Sequence, residues 1–408
     1  MSTSRRPPAS PWLDADALLA DPVIKIMICC GSGGVGKTTT SAALAVRAAE
    51  QGRKVCVLTI DPARRLAQSL GLGDLDNTPR PVEGIDTSAG GSLDAMMLDM
   101  KRTFDDVVLA HSSAEKADQI LTNPFYQALS TSFSGTQEYM AMEKLGQLHT
   151  QAEADGRWDL IIVDTPPARS ALDFLDAPEH LSSLLDGRLL RLLLAPARGP
   201  FKIMSMGFNV VTAVMHKVLG AQIITDVQTF VNAFEALFGG FRVRAQDTFA
   251  LLSSRNTTFV VVATAERDAT REAAYFVDRL SEEQMPLAGV IVNRVHSSEV
   301  DVSPERALSL AEDLADHRSD DHEVPDDAAD DNGAGHQRDG RPEAYAVEIE
   351  ALQRHAARMR LVEREAQVLE RFSASRRGVP RAVIQSLPTD VADLPSLRLV
   401  GRLLAQQD

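Results

Sequence analysis

The stretch "GSGGVGKTTT", residues 31–40, constrains the fold of this chain more than any other segment. It has the form Gly-x-x-x-x-Gly-Lys-Thr, in which glycines let the main chain curl so that successive N–H groups point at phosphate oxygens. An apolar run, residues 23–30, precedes the loop, and an alanine-rich helical pattern from about Thr38 follows it and ends before Gly52. A strand, a glycine-rich loop and a helix N-terminus in this order are the setting that phosphate binding requires. The sequence therefore predicts a nucleotide site at this loop.

Further apolar runs predict the rest of the fold. They are continuous, rich in Val and Ile, and separated by helical stretches. This pattern is typical of parallel strands that are buried on both faces. We therefore expect an α/β fold, a twisted parallel sheet with helices on both faces, of the phosphate-loop NTPase type. The predicted strands after the first are residues 54–61, 92–100, 158–167, 258–266, 287–295 and 381–388.

The segments outside the predicted sheet suggest one domain with insertions. Residues 1–22 are expected to be an N-terminal extension of a domain that spans 23–408. Within it, residues 178–255 are predicted to form a mostly helical subdomain with a Met/Phe-rich centre. Residues 316–343 are acidic and poor in apolar side chains, so they cannot bury enough surface to order themselves. We expect a disordered loop there, followed by a charged helix over residues 342–372.

Charge and cysteine content narrow the classes of partner. The 408 residues carry a net charge of −15, which disfavours nucleic acid and anionic membrane surfaces as partners. The three cysteines, Cys29, Cys30 and Cys56, lie in apolar runs and are expected to be buried in a protein of a reducing compartment. No run reaches the roughly 18 apolar residues of a membrane span, and the N-terminus lacks the apolar core of a secretory signal. We expect a cytoplasmic protein without an integral membrane segment.

The loop itself carries the groups needed to bind ATP with Mg²⁺, which are the expected cofactors. Lys37 would place a cation on the β- and γ-phosphates, and Thr38 offers a hydroxyl to Mg²⁺. The main-chain amides around them would hold the phosphates. The residues expected to bind nucleotide here are Gly33, Gly34, Val35, Gly36, Lys37, Thr38 and Thr39.

Polar residues follow three of the predicted strands. Asp164 can hold Mg²⁺ through water, or it can cap a helix. Asp61 can orient or deprotonate the attacking water, or it can cap a helix whose first turn contains Pro62. Asn293 can donate to and accept from the edge of a base, or it can form a turn. Because ligands of such sheets bind beyond the carboxyl ends of the strands, we expect all three side chains near the loop.

These motifs together resemble the ArsA-like ATPases. That family includes arsenite-pump ATPases and the ATPase that delivers tail-anchored membrane proteins, and it is related to MinD and ParA. The resemblance rests on "GSGGVGKTTT", on "TIDPARRLAQSLG" as a first switch, on "DTPPARSALDFL" as a second switch, and on "VIVNRV" and "SLPTDVADLPSLRLVG". It covers the chain from Val23 to Leu404 apart from the acidic segment.

The resemblance implies a role for each site residue. Asp61 would be the switch residue that activates water, acting with Lys37 in catalysis. Asp164 would be the carboxylate linked to Mg²⁺ through water. Asn293 would read the adenine, and the loop around Pro388 would pack on the base. The reaction would be hydrolysis of ATP to ADP and phosphate by in-line attack of water, coupled to opening and closing of a dimer.

The sequence departs from the family at three points. It has no Cys-x-x-Cys zinc clasp, and no cysteine outside the neighbourhood of the phosphate loop, so arsenite binding is unsupported. Ser32 replaces the first lysine of the family's deviant Walker A loop, Gly-Lys-Gly-Gly-x-Gly-Lys-Thr, which reaches the phosphates of a partner subunit. Such a cation is worth about 10³–10⁵ in rate. We expect nucleotide binding to survive and hydrolysis to be slow unless Arg64, Arg65, Arg169 or a partner supplies a charge. For each of these arginines, the alternative is a solvated surface residue.

The missing lysine leaves several functions open. The chain looks like one member of a pair of ArsA-like proteins encoded side by side in actinobacteria, and a lysine-bearing paralogue would complete a heterodimer. A homodimer, a nucleotide-sensing regulatory subunit with negligible turnover, and a MinD/ParA-like positioning ATPase are the alternatives. The apolar stretch 201–240 is interpreted as a buried helical layer, and a groove for a hydrophobic client protein is the alternative.

Overall fold

The structure of the chain is a computed structural model that describes residues 12–61, 65–124, 126–127, 136–166, 243–320 and 341–407. Its strands are β1 (Ile26–Cys30), β2 (Lys54–Thr59), β3 (Arg80–Pro81), β4 (Ser92–Met97), β5 (Leu160–Asp164), β6 (Thr257–Thr264), β7 (Leu287–Val295) and β8 (Arg381–Gln385). Its helices are α1 (Ala15–Ala20), α2 (Lys37–Glu50), α3 (Arg65–Ser69), α4 (Met100–His111), α5 (Ala114–Leu121), α6 (Thr136–Asp155), α7 (Arg267–Glu282), α8 (Pro304–Asp320), α9 (Arg341–Ser375) and α10 (Leu394–Ala405). Residues 243–252 are helical as well.

The strands form one sheet in the order β3-β4-β2-β5-β1-β6-β7-β8. Every neighbouring pair is parallel except β3 with β4. This arrangement confirms the predicted α/β class. All seven predicted strands are present: β7 has the predicted bounds, β6 begins one residue earlier and ends two residues earlier than predicted, and the other five are shorter. Strand β1 lies between β5 and β6, with β2 and β4 on one side and β7 and β8 on the other. The carboxyl end of β1 is therefore the point where the strand order reverses, and ligands bind in the crevice at such points.

Both faces of the sheet are covered by apolar packing. Within β1, Ile26 and Ile28 contribute to one hydrophobic cluster, whereas Met27 and Cys29 contribute to the other. All five residues of the strand are buried, which explains why its sequence is a continuous apolar run. The three cysteines are free and buried as predicted, and burial raises the pKa of the Cys29 thiol to about 12.

Part of the predicted N-terminal extension is described. Residues 12–22 pack on the domain, because Leu13 and Leu19 are buried in the same hydrophobic cluster as α2 and α10. The Leu13 N–H donates to the carbonyl of Arg381 in the edge strand β8, at 2.9 Å. Residues 1–11 lie outside the described part of the chain.

The two ends of the acidic segment belong to helices and not to a loop. Residues 316–320 continue α8 and residues 341–343 begin α9, so both ends of the expected loop are helical. Residues 321–340 lie outside the description, as do residues 178–242 of the predicted helical subdomain. The predicted charged helix is confirmed as α9, which packs along α8. Among the described helices, none is long and apolar enough to cross a membrane.

Candidate nucleotide site

The phosphate loop connects β1 to α2 and needs glycine at its two ends. Gly31 and Gly36 have positive φ angles of 148° and 95°. A Cβ atom on Gly31 would lie 2.1 Å from the carbonyl oxygen of Val262, and one on Gly36 would lie 2.2 Å from Nδ2 of Asn293. Because Gly36 is the N-cap of α2 and has no side chain, it leaves the first amides of the helix available to a ligand.

The ammonium group of Lys37 is held inside the loop. Lys37 is 6% exposed, and its Nζ donates to the main-chain carbonyl of Ser32 at 2.9 Å. Burial lowers the pKa of Lys37, while the nearby charges of Asp164 and Asp61 oppose that shift. The loop therefore contains a partly desolvated cation. Among the described residues, its hydrogen-bond acceptor is a neutral carbonyl.

Asp164 ends β5 beside the first turn of α2. Its Oδ2 accepts hydrogen bonds from the hydroxyls of Thr38, at 2.8 Å, and Thr59, at 2.9 Å. Its Oδ1 is buried and has no partner among the described residues. Burial raises the pKa of Asp164 to about 6. A buried carboxylate oxygen without a partner, next to a threonine hydroxyl, is a donor set that fits Mg²⁺.

Asp61 lies close to the same carboxylate. It is half-buried, its carbonyl oxygen is 3.4 Å from the Thr59 hydroxyl, and the Ile60 N–H donates to the carbonyl of Asp164 at 2.9 Å. The charge of Asp61 acts on the pKa values of both Lys37 and Asp164. The fold thus brings together the three charged residues that sequence reasoning assigned to the site.

The helix-cap alternative for Asp61 and two of the three candidate arginines fall on residues outside the described part of the chain. Helix α3 is described from Arg65, and Pro62, on which the helix-cap alternative for Asp61 depends, lies outside the described residues. Arg65 is exposed. Arg64 and Arg169, the other two candidate cations, lie outside the described residues.

Asn293, near the end of β7, touches the phosphate loop directly. Its Nδ2 donates to the carbonyl of Val35 at 2.9 Å, and its Oδ1 accepts from the Arg294 N–H at 2.9 Å. Both ends of the amide are therefore engaged within the chain, and its expected contact with adenine stays a prediction. Pro388 is exposed three residues after β8 ends.

Two contacts of the site were missed by sequence reasoning. Thr59 holds Asp164 from the end of β2, and a hydroxyl residue at the carboxyl end of a buried strand was the signal that could have identified it. Arg294 donates from its guanidinium to the carbonyl of Gly34. No sequence signal links two residues that are 260 positions apart in the chain.

A parallel sheet with this loop at its switch point defines a phosphate-loop nucleotide-binding protein. Residues 24–308 match the model of a family described as anion-transporting ATPase. Since the match covers more than half of the chain, the chain belongs to this family, and the resemblance to ArsA-like ATPases is confirmed. The chain is an ATPase with a nucleotide site.

Curated relatives agree with this assignment. The chain is 28% identical over 283 residues to the ATPase GET3 of Ajellomyces dermatitidis, covering 68% of this chain and 75% of that protein. It is 26% identical over 279 residues to the ATPase ASNA1 homolog 2 of Paramecium tetraurelia, covering 68% and 78%. It is 27% identical over 287 residues to the ATPase GET3 of Candida glabrata, covering 66% and 72%.

The raised pKa of Asp164 predicts that the contribution of this residue to the stability of the ligand-free protein falls as the pH rises from about 4 to about 6. The folded protein holds the Asp164 proton up to about pH 6, whereas the unfolded chain releases it near pH 3.8. Between these values the folded state binds more protons, so raising the pH favours unfolding, by roughly 3 kcal/mol in total.

Urea unfolding of the wild type and the Asp164→Asn variant at pH 4, 5, 6 and 7 measures this effect. The free energy of unfolding of the wild type relative to the variant should fall across the series, because Asn does not titrate. If the free energies of unfolding of the two proteins change in parallel with pH, the pKa of Asp164 is not raised in the folded protein, and the prediction is wrong.

Proposed function

We propose that the chain binds ATP with Mg²⁺ at residues 33–39 and hydrolyses it to ADP and phosphate. The observation that carries the proposal is the convergence of Lys37, Thr38, Asp61 and Asp164 on one loop at the switch point of the sheet. These are the residue types that phosphoryl transfer uses for phosphate charge, metal and water.

Each group has a role that follows from its position. Lys37 would leave the neutral carbonyl of Ser32 for the phosphate oxygens, because a charge-assisted hydrogen bond to an anion is the stronger one. Thr38 and Asp164 would hold Mg²⁺, with Asp164 acting through water. When bound, Mg²⁺ would neutralise charge that develops on the phosphates. Asp61 would orient the attacking water and accept its proton.

The adenine base of ATP would lie between the phosphate loop and the segments that contain Asn293 and Pro388. Asn293 already contacts the loop, and its amide has a second N–H and a second lone pair for the adenine edge. Pro388 is exposed and offers an apolar ring for the flat face of a base. These two contacts would select adenine, while the loop binds phosphates of any nucleotide.

The proposed working unit is a dimer that opens and closes with the nucleotide state. Ser32 favours a heterodimer with a lysine-bearing paralogue of the actinobacterial type, and a homodimer is the alternative. A hydrophobic client protein would bind through the segment 178–255, of which only residues 243–252 are described as a helix. We place this unit in the cytoplasm, without nucleic acid.

A second candidate is a nucleotide-sensing regulatory subunit with negligible turnover. Ser32 favours it, because without the cross-subunit lysine the site can bind ATP and assemble without rapid hydrolysis. A single-turnover experiment with the chain in excess over ATP and Mg²⁺ separates the two functions. Phosphate release that depends on the chain supports the ATPase, whereas full binding without release identifies the sensor.

The Asp61→Asn variant is expected to lower the single-turnover rate about 100-fold, because Asn cannot accept the proton of the attacking water. Affinity for ATP with Mg²⁺ should stay within about threefold of the wild type, since Asp61 acts only in the chemical step. The matched control is Asp118→Asn on the exposed side of α5. If Asp61→Asn releases phosphate as fast as this control, Asp61 has no part in catalysis.

A further inference from the structure

Two consecutive residues near the end of β7 hold the phosphate loop by side-chain hydrogen bonds. Asn293 donates to the carbonyl of Val35, and Arg294 donates to the carbonyl of Gly34. The loop therefore has two adjacent peptide carbonyls engaged by side chains of one strand end. Asn293 is buried, whereas Arg294 is exposed.

Holding these carbonyls determines where the loop amides point. A peptide unit is planar and trans, so its C=O and its N–H point in opposite directions. When Arg294 holds the carbonyl of Gly34, the N–H of Val35 points away from Arg294. In the same way, Asn293 directs the N–H of Gly36. These are amides of the loop that would bind the phosphates.

We propose that Arg294 is a positioning residue for the nucleotide site, acting through the Gly34–Val35 peptide. The inference rests on the proposed binding of ATP at this loop. Gly34 needs such support, because its φ of 78° and its open surroundings leave the peptide free to rotate. The hydrogen bond from the guanidinium restricts that rotation.

The backbone of Arg294 gives a second reason to assign it a role. Its φ is 58°, a left-handed conformation that Gly or Asn adopts at lower cost than Arg. With Arg at this position, the folded state is less stable than it would be with Gly. We therefore expect the Arg side chain to make a contact that Gly cannot make. The hydrogen bond from the guanidinium to the loop is such a contact.

The platform that carries Arg294 is held by helix α9. The main-chain N–H and Nδ1 of His296 contact the carboxylate of Glu365 at 2.7 and 2.8 Å. Arg358 donates to the carbonyl of Ser297 at 2.8 Å. Because α9 anchors the residues just after Arg294, the guanidinium reaches the loop from a fixed position. Helix α9 lies beyond residues 24–308, which match the family.

The left-handed backbone of Arg294 allows affinity to be separated from folding. Arg294→Gly and Arg294→Asn remove the contact with the loop and relieve the backbone. Their affinity for ATP with Mg²⁺, measured by titration calorimetry, should fall about 5- to 10-fold. Their melting temperatures should stay equal to that of the wild type or rise by roughly 2 °C. Arg294→Lys keeps a donor for Gly34 and should bind within about threefold of the wild type.

Gln284 provides the matched control, since it is exposed and has a φ of 56° at a distant turn. Gln284→Gly should raise the melting temperature to a similar extent and leave the affinity for ATP unchanged. ATP affinity that stays at the wild-type value in Arg294→Gly overturns the inference. So does an affinity loss that is matched by a fall in melting temperature, because that result describes a purely structural residue.

Salt separates positioning from direct contact with the nucleotide. A positioning residue predicts the same fold-loss of affinity in 0.05 and 0.5 M NaCl, whereas an ion pair with a phosphate is screened by salt. A loss that disappears at high salt therefore contradicts the positioning role. If the wild type binds no ATP, the proposed function fails, which is distinct from failure of this inference alone.

Discussion

Replacing Lys37 with Met is expected to lower ATP turnover about 10³-fold. Lys37 supplies the cation inside the phosphate loop, and loss of one well-placed donor to a reacting oxyanion costs about that much. Met suits the test because Lys37 is buried, so an apolar chain of similar length fills the same space. Single-turnover phosphate release, with the chain in excess over ATP and enough chain to bind all of it, measures the effect.

Lys116→Met is the matched control, since Lys116 is exposed on α5 and the same charge is removed from the chain. It should hydrolyse ATP as the wild type does. Melting temperatures of both variants show whether each protein is folded. Undiminished turnover in folded Lys37→Met would place the reactive phosphate somewhere other than this loop.

A lysine supplied at the position of Ser32 is expected to raise ATP turnover by about 10³–10⁵-fold, the range known for cations that reach a phosphoryl group from a partner. In the proposed heterodimer, the lysine of the paralogue would serve the site on this chain. Mixing the purified chains should therefore raise phosphate release far above the sum of the separate proteins. If the chain self-associates, Ser32→Lys should produce the gain alone.

The bond between Lys37 and position 32 uses the main-chain carbonyl of Ser32, so these substitutions leave that acceptor in place. Ser32 is 9% exposed, and a long side chain there must find room. Ser32→Met matches Lys in length without its charge and controls for this effect. A gain in Ser32→Met equal to that in Ser32→Lys, or no gain on mixing, would remove the cross-subunit cation from the mechanism.

The sheet was predictable because its strands are buried on both faces. In β5 and β6 every residue is buried, so each strand is a continuous apolar run that sequence reasoning detects. Strand β3 gave no such signal, because Arg80 and Pro81 are both exposed at the antiparallel edge. The packing of the segment 12–22 was not predicted, because it depends on α10, at the other end of the chain.

The positions of the candidate site residues were predictable where residue type and local pattern coincide. The glycines and Lys37 belong to one short motif, and Asp61 and Asp164 stand at the carboxyl ends of apolar runs. The contacts of Thr59 and Arg294 depend on which strands are neighbours and on side-chain direction. The position of Thr59 at the end of a buried strand is a local signal, but the carboxylate that it contacts is known only from the fold. Arg294 has no local signal for its contact with Gly34.

Titration calorimetry of the wild-type chain with ATP and Mg²⁺, repeated with Lys37→Met, tests nucleotide binding by the phosphate loop most directly. We predict saturable binding of one ATP per chain, with a Kd between about 1 µM and 1 mM, and a large loss of affinity in the variant. Absence of binding to the folded wild type, alone or in its natural assembly, would contradict nucleotide binding by the phosphate loop. Equal binding by the two proteins would do the same.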